Sequence, residues 1–220
     1  MEAAKGAGHP EPRIVTFKID VTSRESVEAA AKQISHDLDG RVDVLINNAG
    51  YLSSFVGIPD TDPDEWWRDY EINVKGTYLV TRVFWPLLLA SSIKIIINVA
   101  SIAAVVTGRH ATAYAIAKLA AMRFTEFIDQ DHGKGNEGMV AIAIHPGGVQ
   151  TELSRGMPGQ FQTYLIDTPE LAGDTLLWLG AERREWLSGR YLIACWDLEE
   201  LSTGKEEIVE RDLLKMRMTL

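Results

Sequence analysis

Short runs rich in β-branched and aliphatic residues alternate along this chain with longer stretches of helical periodicity. The apolar runs fall at 14–19, 42–46, 93–99, 139–144 and 190–194. Between them, helical patterns cover about 23–38, 63–91, 112–130 and 169–181. Strand-sized runs separated by helix-sized ones predict an α/β fold: a doubly wound, Rossmann-like parallel sheet with helices on both faces. Helix starts carry their own signals. Thr22-Ser23-Arg24-Glu25 fits a capping box with Thr22 as cap and Glu25 at the third position. Asp62-Pro63-Asp64-Glu65 supplies a cap, a first-turn proline and acids facing the helix dipole, and Asp167-Thr168-Pro169-Glu170 repeats the device. No internal repeat or low-complexity linker divides the chain, so residues 1–220 read as one domain.

Composition narrows the classes. With 46% hydrophobic and 24% charged residues the 220-residue chain can build a substantial core. A formal net charge of −9 argues against nucleic acid as a general partner, because phosphate binding needs a basic surface. The single cysteine, Cys195, excludes an internal disulfide and suits a reducing compartment. It sits in an apolar run, where a buried structural thiol is expected. The start Met1-Glu2-Ala3-Ala4-Lys5-Gly6 has no apolar signal core, and the apolar stretch 83–93 is interrupted by Pro86 and too short for a bilayer. These features point to a cytoplasmic protein without membrane partners. No His, Cys or Asp spacing supports a metal site.

The candidate chemistry centres on Tyr114-Ala115-Ile116-Ala117-Lys118, in a stretch rich in helix formers. Tyr114 and Lys118, four apart, share one helix face. A phenol titrates at about 10 in water, and a neighbouring ammonium favours the phenolate. Tyr-x-x-x-Lys can therefore make a proton donor or acceptor that works near neutrality. By itself the pair also fits a half-buried tyrosine beside a solvated lysine.

The neighbouring segments extend the pattern. Ser101 ends the run Ile93 to Ala100, thirteen residues before Tyr114. Asn47-Asn48-Ala49-Gly50 follows the run 42–46, Asn73-Val74-Lys75-Gly76 lies within a long helical stretch, and Pro146-Gly147-Gly148-Val149-Gln150-Thr151 follows 139–144. Asp20-Val21-Thr22 follows 14–19. In this order and at these spacings the segments resemble the short-chain dehydrogenase/reductase family. The carboxyl end, from Trp196-Asp197-Leu198-Glu199-Glu200-Leu201 to Asp212-Leu213-Leu214-Lys215, resembles a fungal branch, for which secondary metabolism is the implied setting.

The resemblance implies an NAD(P)-dependent oxidoreductase that interconverts a carbonyl and a secondary alcohol on a small organic molecule. Tyr114 would be the acid/base, Lys118 would lower its pKa and hold the nicotinamide ribose, and Ser101 would orient the substrate oxygen. Asn73 would carry a backbone-bound water that links Lys118 to solvent. Asp20, Asn48, Ala49 and Gly50 would line the adenosine side of the cofactor site, and Val149 and Thr151 would receive the nicotinamide carboxamide. The cofactor is NADP or NAD, NADP being slightly favoured. A homodimer or homotetramer is expected, from apolar residues on more than one face of the helices at 63–91 and 112–130. The bland readings stand beside these: a turn cap for Ser101, a solvated helix residue for Asn73, a helix-end charge for Asp20. His145 reads as structural, the Trp66-Trp67 pair as core or subunit contact, and the irregular stretch 152–167 as a substrate lid.

One family element has no counterpart in this sequence. The glycine-rich turn that holds the cofactor pyrophosphate on a helix N-terminus is missing, since Lys5-Gly6-Ala7-Gly8-His9-Pro10 follows no strand and reads as a loop. Relative to the family the domain is expected to be truncated at its N-terminus by about two strands and a helix. Weak or absent dinucleotide binding is the corresponding expectation. It leaves two alternatives open: a truncated non-catalytic family member, or a cofactor-independent lyase or isomerase using the Tyr114–Lys118 pair.

Overall fold

A computed structural model describes residues 12–218 together with Gly6 and Gly8; the rest of the 5–10 loop lies outside the described residues. Four strands form one parallel sheet in the order β1 (Val44–Asn47), β2 (Ile95–Val99), β3 (Val140–His145), β4 (Arg190–Ile193). Every residue of β2, and all of β3 but its last, is buried, as a parallel sheet covered on both faces requires. Alternate side chains feed two cores. Ile95, Ile97, Val99, Ile142 and Ile144 pack with Leu179 and Leu187 on one face. Ile96, Ala141 and Met139 pack with Leu88 and Ile128 on the other.

The helices follow the predicted pattern with informative departures. Helix α1 (Arg24–Asp37) is capped by Ser23, whose side chain accepts from the Ser26 amide. Thr22, the expected cap, is instead turned onto the Asp20 carboxylate, so the helix starts one residue later. Asp62 caps α2 (Pro63–Tyr70) as expected, accepting from the Asp64 and Glu65 amides. The long helical stretch is not uniform: α2 passes through a π-helical turn (Glu71–Gly76) into α3 (Thr77–Leu89). The cause is local. Asn73 Nδ2 donates to the Asp69 carbonyl at 2.9 Å, the acceptor its own backbone N–H would use in a regular helix. Helix α4 (Thr112–His132) carries Tyr114 in its first turn and Lys118 one turn on.

A short helix α5 (Gly159–Gln162) interrupts the 152–167 stretch, and α6 (Pro169–Ala181) follows it. Asp167 does not cap α6. Its carboxylate accepts from the Gly148 amide at 2.7 Å and from the Cys195 thiol at 3.3 Å. Cys195 is exposed, a correction to the buried thiol expected from its apolar neighbours; the strand ends at Ile193 and the chain turns outward there. Two short helices, α7 (Leu198–Thr203) and α8 (Lys205–Glu210), follow β4.

The predicted strand at 14–19 does not form. That segment makes no strand pairing, and Ile14 and Val15 are exposed. Ile19 is held against the cluster of Val27, Ala31, Leu79 and Phe84. Val21 lies so close to Gly76 that a Cβ there would stand 2.8 Å from it. Strand geometry is stable only with a paired neighbour, and this segment packs on helices instead. Among the described residues no helix is long and apolar enough to cross a membrane.

Candidate active site

The predicted catalytic residues converge at the carboxyl end of β2. Ser101 follows the strand in extended conformation, and its hydroxyl accepts from the Ala103 amide at 3.2 Å, capping the turn Ile102–Ala104. The turn-cap reading is therefore correct, and it holds the hydroxyl at the mouth of α4. Tyr114 faces Ser101. Burial pushes the phenol up, the neighbouring Ser101 hydroxyl pulls it down, and the charge of Asp69 adds to the rise. Lys118 is buried, and its Nζ donates to the Val99 carbonyl at 2.8 Å. Loss of hydration lowers its amine to about 8, against a partial recovery from Asp69. Nζ stands 5.7 Å from the centroid of the Tyr114 ring. The expected lowering of the phenol by Lys118 is not realised in this geometry, where burial dominates.

Asn73 joins this group from the π-helical turn. It is buried, accepts from the Tyr51 amide at 3.2 Å and donates to the Tyr51 carbonyl at 2.8 Å. The solvated-helix reading of Asn73 is thus excluded. Gly50 completes the centre: a Cβ there would lie 3.4 Å from Asn73 Oδ1 and 3.6 Å from Lys118 Nζ. A side chain at 50 would fill the space that opens onto both polar groups.

Gly50, expected on the adenosine side with Asn48 and Ala49, thus stands beside Asn73 and Lys118 instead, and the other predicted cofactor residues outside α4 fall in two further places. Asp20 and Ala49 line an open cleft of about 680 Å³ together with Val21, Arg68 and Ile72. The Asp20 carboxylate accepts from both the amide and the hydroxyl of Thr22, which holds it below the usual carboxylate range. Asn48 is exposed beside Ala49. Thr151 lines a separate recess of about 200 Å³ with Gln150, Ser154 and Arg155. Its amide donates to Ser154 Oγ at 2.8 Å, and the Val149 carbonyl accepts from the same hydroxyl at 3.3 Å. The glycines before them let the 152–167 stretch come close: a Cβ at Gly148 would stand 2.1 Å from the Tyr164 carbonyl, and Gly147 has φ +92°. Val149 also bridges to Asp167, and Phe161 packs on Phe55 at 5.5 Å between ring centroids.

His145 fits the structural reading; burial lowers its ring below the usual histidine range. Trp66 donates to Thr112 Oγ1 at 3.1 Å, tying α2 to the first turn of α4, while Trp67 is exposed and stacks on Tyr70. Among the described residues no His, Cys, Asp and Glu group could hold a metal ion.

Two features escaped sequence reasoning. Asn47 donates to Asn98 at 2.8 Å and to Thr81 at 2.9 Å, and Asn98 donates to Thr125 at 2.9 Å, a buried chain linking β1 and β2 to α3 and α4. A lone Asn within the apolar run 93–99 was the available signal. The second is Asp69, wholly buried beside Asn73. Charged residues surround it in sequence, so no pattern marks it.

Comparison with known proteins agrees with this arrangement. A family model described as short chain dehydrogenase matches residues 1–160. The short chain dehydrogenase mpl6 of Monascus purpureus is 44% identical over 220 residues, 100% of this chain and 74% of that protein. The short chain dehydrogenase andI of Emericella variicolor is 38% identical over 216 residues, 98% of this chain and 73% of that one. Among solved structures, NADPH-bound carbonyl reductase from chicken fatty liver superposes with a TM-score of 0.72 at 24% identity, over 88% of this chain and 79% of that one, a likeness of fold. With a family model covering most of its length and fungal relatives matching throughout, the chain belongs to the short-chain dehydrogenase family.

Proposed function

We propose that this protein interconverts a carbonyl and a secondary alcohol on a small organic molecule with a nicotinamide cofactor, using Tyr114 as acid/base. The observation that carries the reading is that Asn73 and Lys118 meet at the space left open by Gly50, with the Tyr114 ring 5.7 Å from the same Lys118 Nζ and Ser101 beside that tyrosine. The nicotinamide ring, when bound, supplies or accepts the hydride. Tyr114 would pass its phenolic proton to the developing alkoxide, or take one from the alcohol in the reverse direction. Ser101 would donate to the same oxygen and fix its position. Lys118, held by the Val99 carbonyl, would place a positive charge beside the phenolate as it forms.

The residues present suit the nicotinamide and ribose half of a dinucleotide, because Gly50 leaves room in front of Lys118 and Asn73. For the adenine end, the Asp20–Ala49 cleft is the corresponding space. Both NADP and NAD fit this reading, NADP being slightly favoured by the NADPH-bound neighbour. Setting within fungal secondary metabolism accords with the relatives. Tyr78, Phe127 and Ile116 are exposed on α3 and α4, and pairing of two copies through these helices would cover them.

Fluorescence titration of the purified chain with NADH and NADPH tests the reading. A saturable sub-millimolar response with either is expected; no response would leave the Tyr114–Lys118 pair to cofactor-independent proton transfer. Binding at micromolar affinity or tighter would overturn the weak binding expected from the sequence.

A further inference from the structure

The two ends of the irregular stretch after β3 meet at one side chain. Gly148 gives both of its backbone groups to Asp167: its amide donates to Oδ2 at 2.7 Å, and its carbonyl accepts from the Asp167 amide at 3.0 Å. Val149 and Asp167 lie side by side in a parallel bridge. The same Oδ2 accepts from the Cys195 thiol at 3.3 Å, at the turn that follows β4. One carboxylate thus joins the turn after β3, the far end of the loop and the turn after β4. The glycine turn is shaped for this contact. A Cβ on Gly147 would stand 2.8 Å from Asp167 Oδ2, and one on Gly148 would stand 2.1 Å from the Tyr164 carbonyl, so a side chain at either position would force the two ends apart.

Asp167-Thr168-Pro169-Glu170 has the sequence of a helix start, yet α6 begins without a side-chain cap. The carboxylate is committed to the neck of the loop instead. Within the loop the contacts are local: Ser154 Oγ accepts from the Thr151 amide at 2.8 Å, and Gln162 donates to the Met157 carbonyl at 3.1 Å. Phe161 reaches across to Phe55 in the segment after β1, while Tyr164 and Ile166 are exposed. We propose that Asp167 is a positioning residue: its carboxylate closes the neck of the 149–166 loop and thereby sets that loop over the substrate side of the site. The inference rests on the oxidoreductase reading only in that the loop covers a substrate. The closure itself needs no cofactor.

A backbone amide held by a carboxylate makes a stronger bond than one held by a neutral oxygen, and the Ser154 and Gln162 bonds inside the loop are neutral ones. Bringing the loop ends together costs chain entropy that these local bonds do not offset, because they do not span the neck. With the carboxylate gone the loop spends more of its time open. If only the closed form holds substrate, apparent affinity falls with the closed fraction, while turnover from the closed complex is unchanged. Ser101, Tyr114 and Lys118 stand on other elements and keep their places.

Trypsin reads the neck without substrate or cofactor. Arg155 is the only lysine or arginine between 149 and 166, so a single cut, after Arg155, reports on the loop. Asp167→Ala should be cut there about ten times faster than the parent, since cleavage of a transiently open segment follows the population of its open form. Cleavage at Arg82 in α3 and Arg123 in α4 should not change. Asp167→Asn keeps an oxygen for the Gly148 amide and should restore most of the resistance. An Arg155 cut that is no faster in Asp167→Ala, or faster only in step with Arg82 and Arg123, would overturn the proposal; the second result is what a merely structural residue gives. Should Asp167→Ala not fold, the parent decides: its Gly148 amide must exchange hydrogen about 100-fold more slowly than in an unstructured chain, and an unprotected amide overturns the closure. In turnover, Asp167→Ala should raise KM for the carbonyl compound about tenfold with kcat held within about threefold. A fall in kcat with KM unmoved would count against a positioning role. Failure of the oxidoreductase reading looks different: the parent would show no turnover, with the Arg155 result intact.

Discussion

The two edges of the sheet are finished differently. At the β4 edge, the chain after α8 returns and covers the strand: the Tyr191 amide donates to the Leu214 carbonyl at 2.9 Å, and the buried Arg190 donates to the Leu213 carbonyl. Arg190 also pairs with Asp212 at 3.2 Å, Lys215 reaches the same carboxylate at 2.8 Å, and Arg217 binds it too. The Met216 amide then donates to Glu126 on α4 at 2.8 Å. At the β1 edge nothing comparable is present among the described residues. Ile46, in the middle of that strand, is 41% exposed, and the segment before α1 sets Ile19 on helices and makes no pairing with the strand. Of the residues proposed for catalysis, Tyr114 and Lys118 stand on α4, the helix whose Glu126 binds the returning segment, whereas Ser101 follows β2, the neighbour of the open strand. The cleft that would take the adenine end stands beside β1, where Ala49 and Asp20 meet. A parallel strand with one side unpaired leaves backbone groups to water.

The sharpest break in this comparison is on the closed side. Tyr114→Phe keeps the ring and its packing but removes the proton, so kcat for carbonyl reduction should fall by a factor on the order of 10²–10⁴. A variant retaining most of its turnover would remove Tyr114 from the chemistry. Next in size, Arg190→Met takes a charged donor away from two buried carbonyls, those of Trp186 and Leu213. It should lower the unfolding free energy by about 2–3 kcal/mol. Asp212 keeps Lys215 and Arg217, so the loss measured by urea denaturation should not reach that of a fully orphaned buried charge. No loss would mean that the returning segment does not hold the β4 edge.

Lys118 supplies a prediction of opposite sign. Its folded-state amine is lowered to about 8 from an ordinary value of 10.5, so between those two pH values the unfolded chain binds the extra proton. Stability from this group therefore rises with pH across that window, and below it the buried charge is a constant cost. Lys118→Met should abolish turnover and yet raise stability at neutral pH by about 1–3 kcal/mol, after allowance for the lost bond to Val99. Calorimetry at pH 7 and pH 10 checks both the gain and its shrinkage as pH rises. The smallest effect belongs to the open edge. Ile46→Lys should change stability by no more than about 0.5 kcal/mol, as at an ordinary surface position, while reducing aggregation on storage followed by light scattering. A loss comparable to that of Arg190→Met would show that the β1 edge is buried in solution.

Much of this was legible in the sequence. The apolar runs at 93–99 and 139–144 became the buried central strands because β-branched residues in such runs can only be hidden between two layers of helices. The spacing of Ser101, Tyr114 and Lys118 determined their meeting, since a strand end and the first two turns of one helix are local geometry. The same holds for the Asp62 cap and the first-turn Pro63. Three other features needed distant partners and were decided by tertiary structure alone. The run 14–19 has the composition of a strand, but a strand exists only where another strand pairs with it, and here helices take its side chains. Cys195 sits among apolar neighbours, yet the turn after β4 faces it outward to Asp167. Asp69 lies among charged residues that face water. Only the tertiary packing buries that one carboxylate against the Ser53 amide and Asn73, because burial depends on which elements meet and not on which residues are neighbours in the chain.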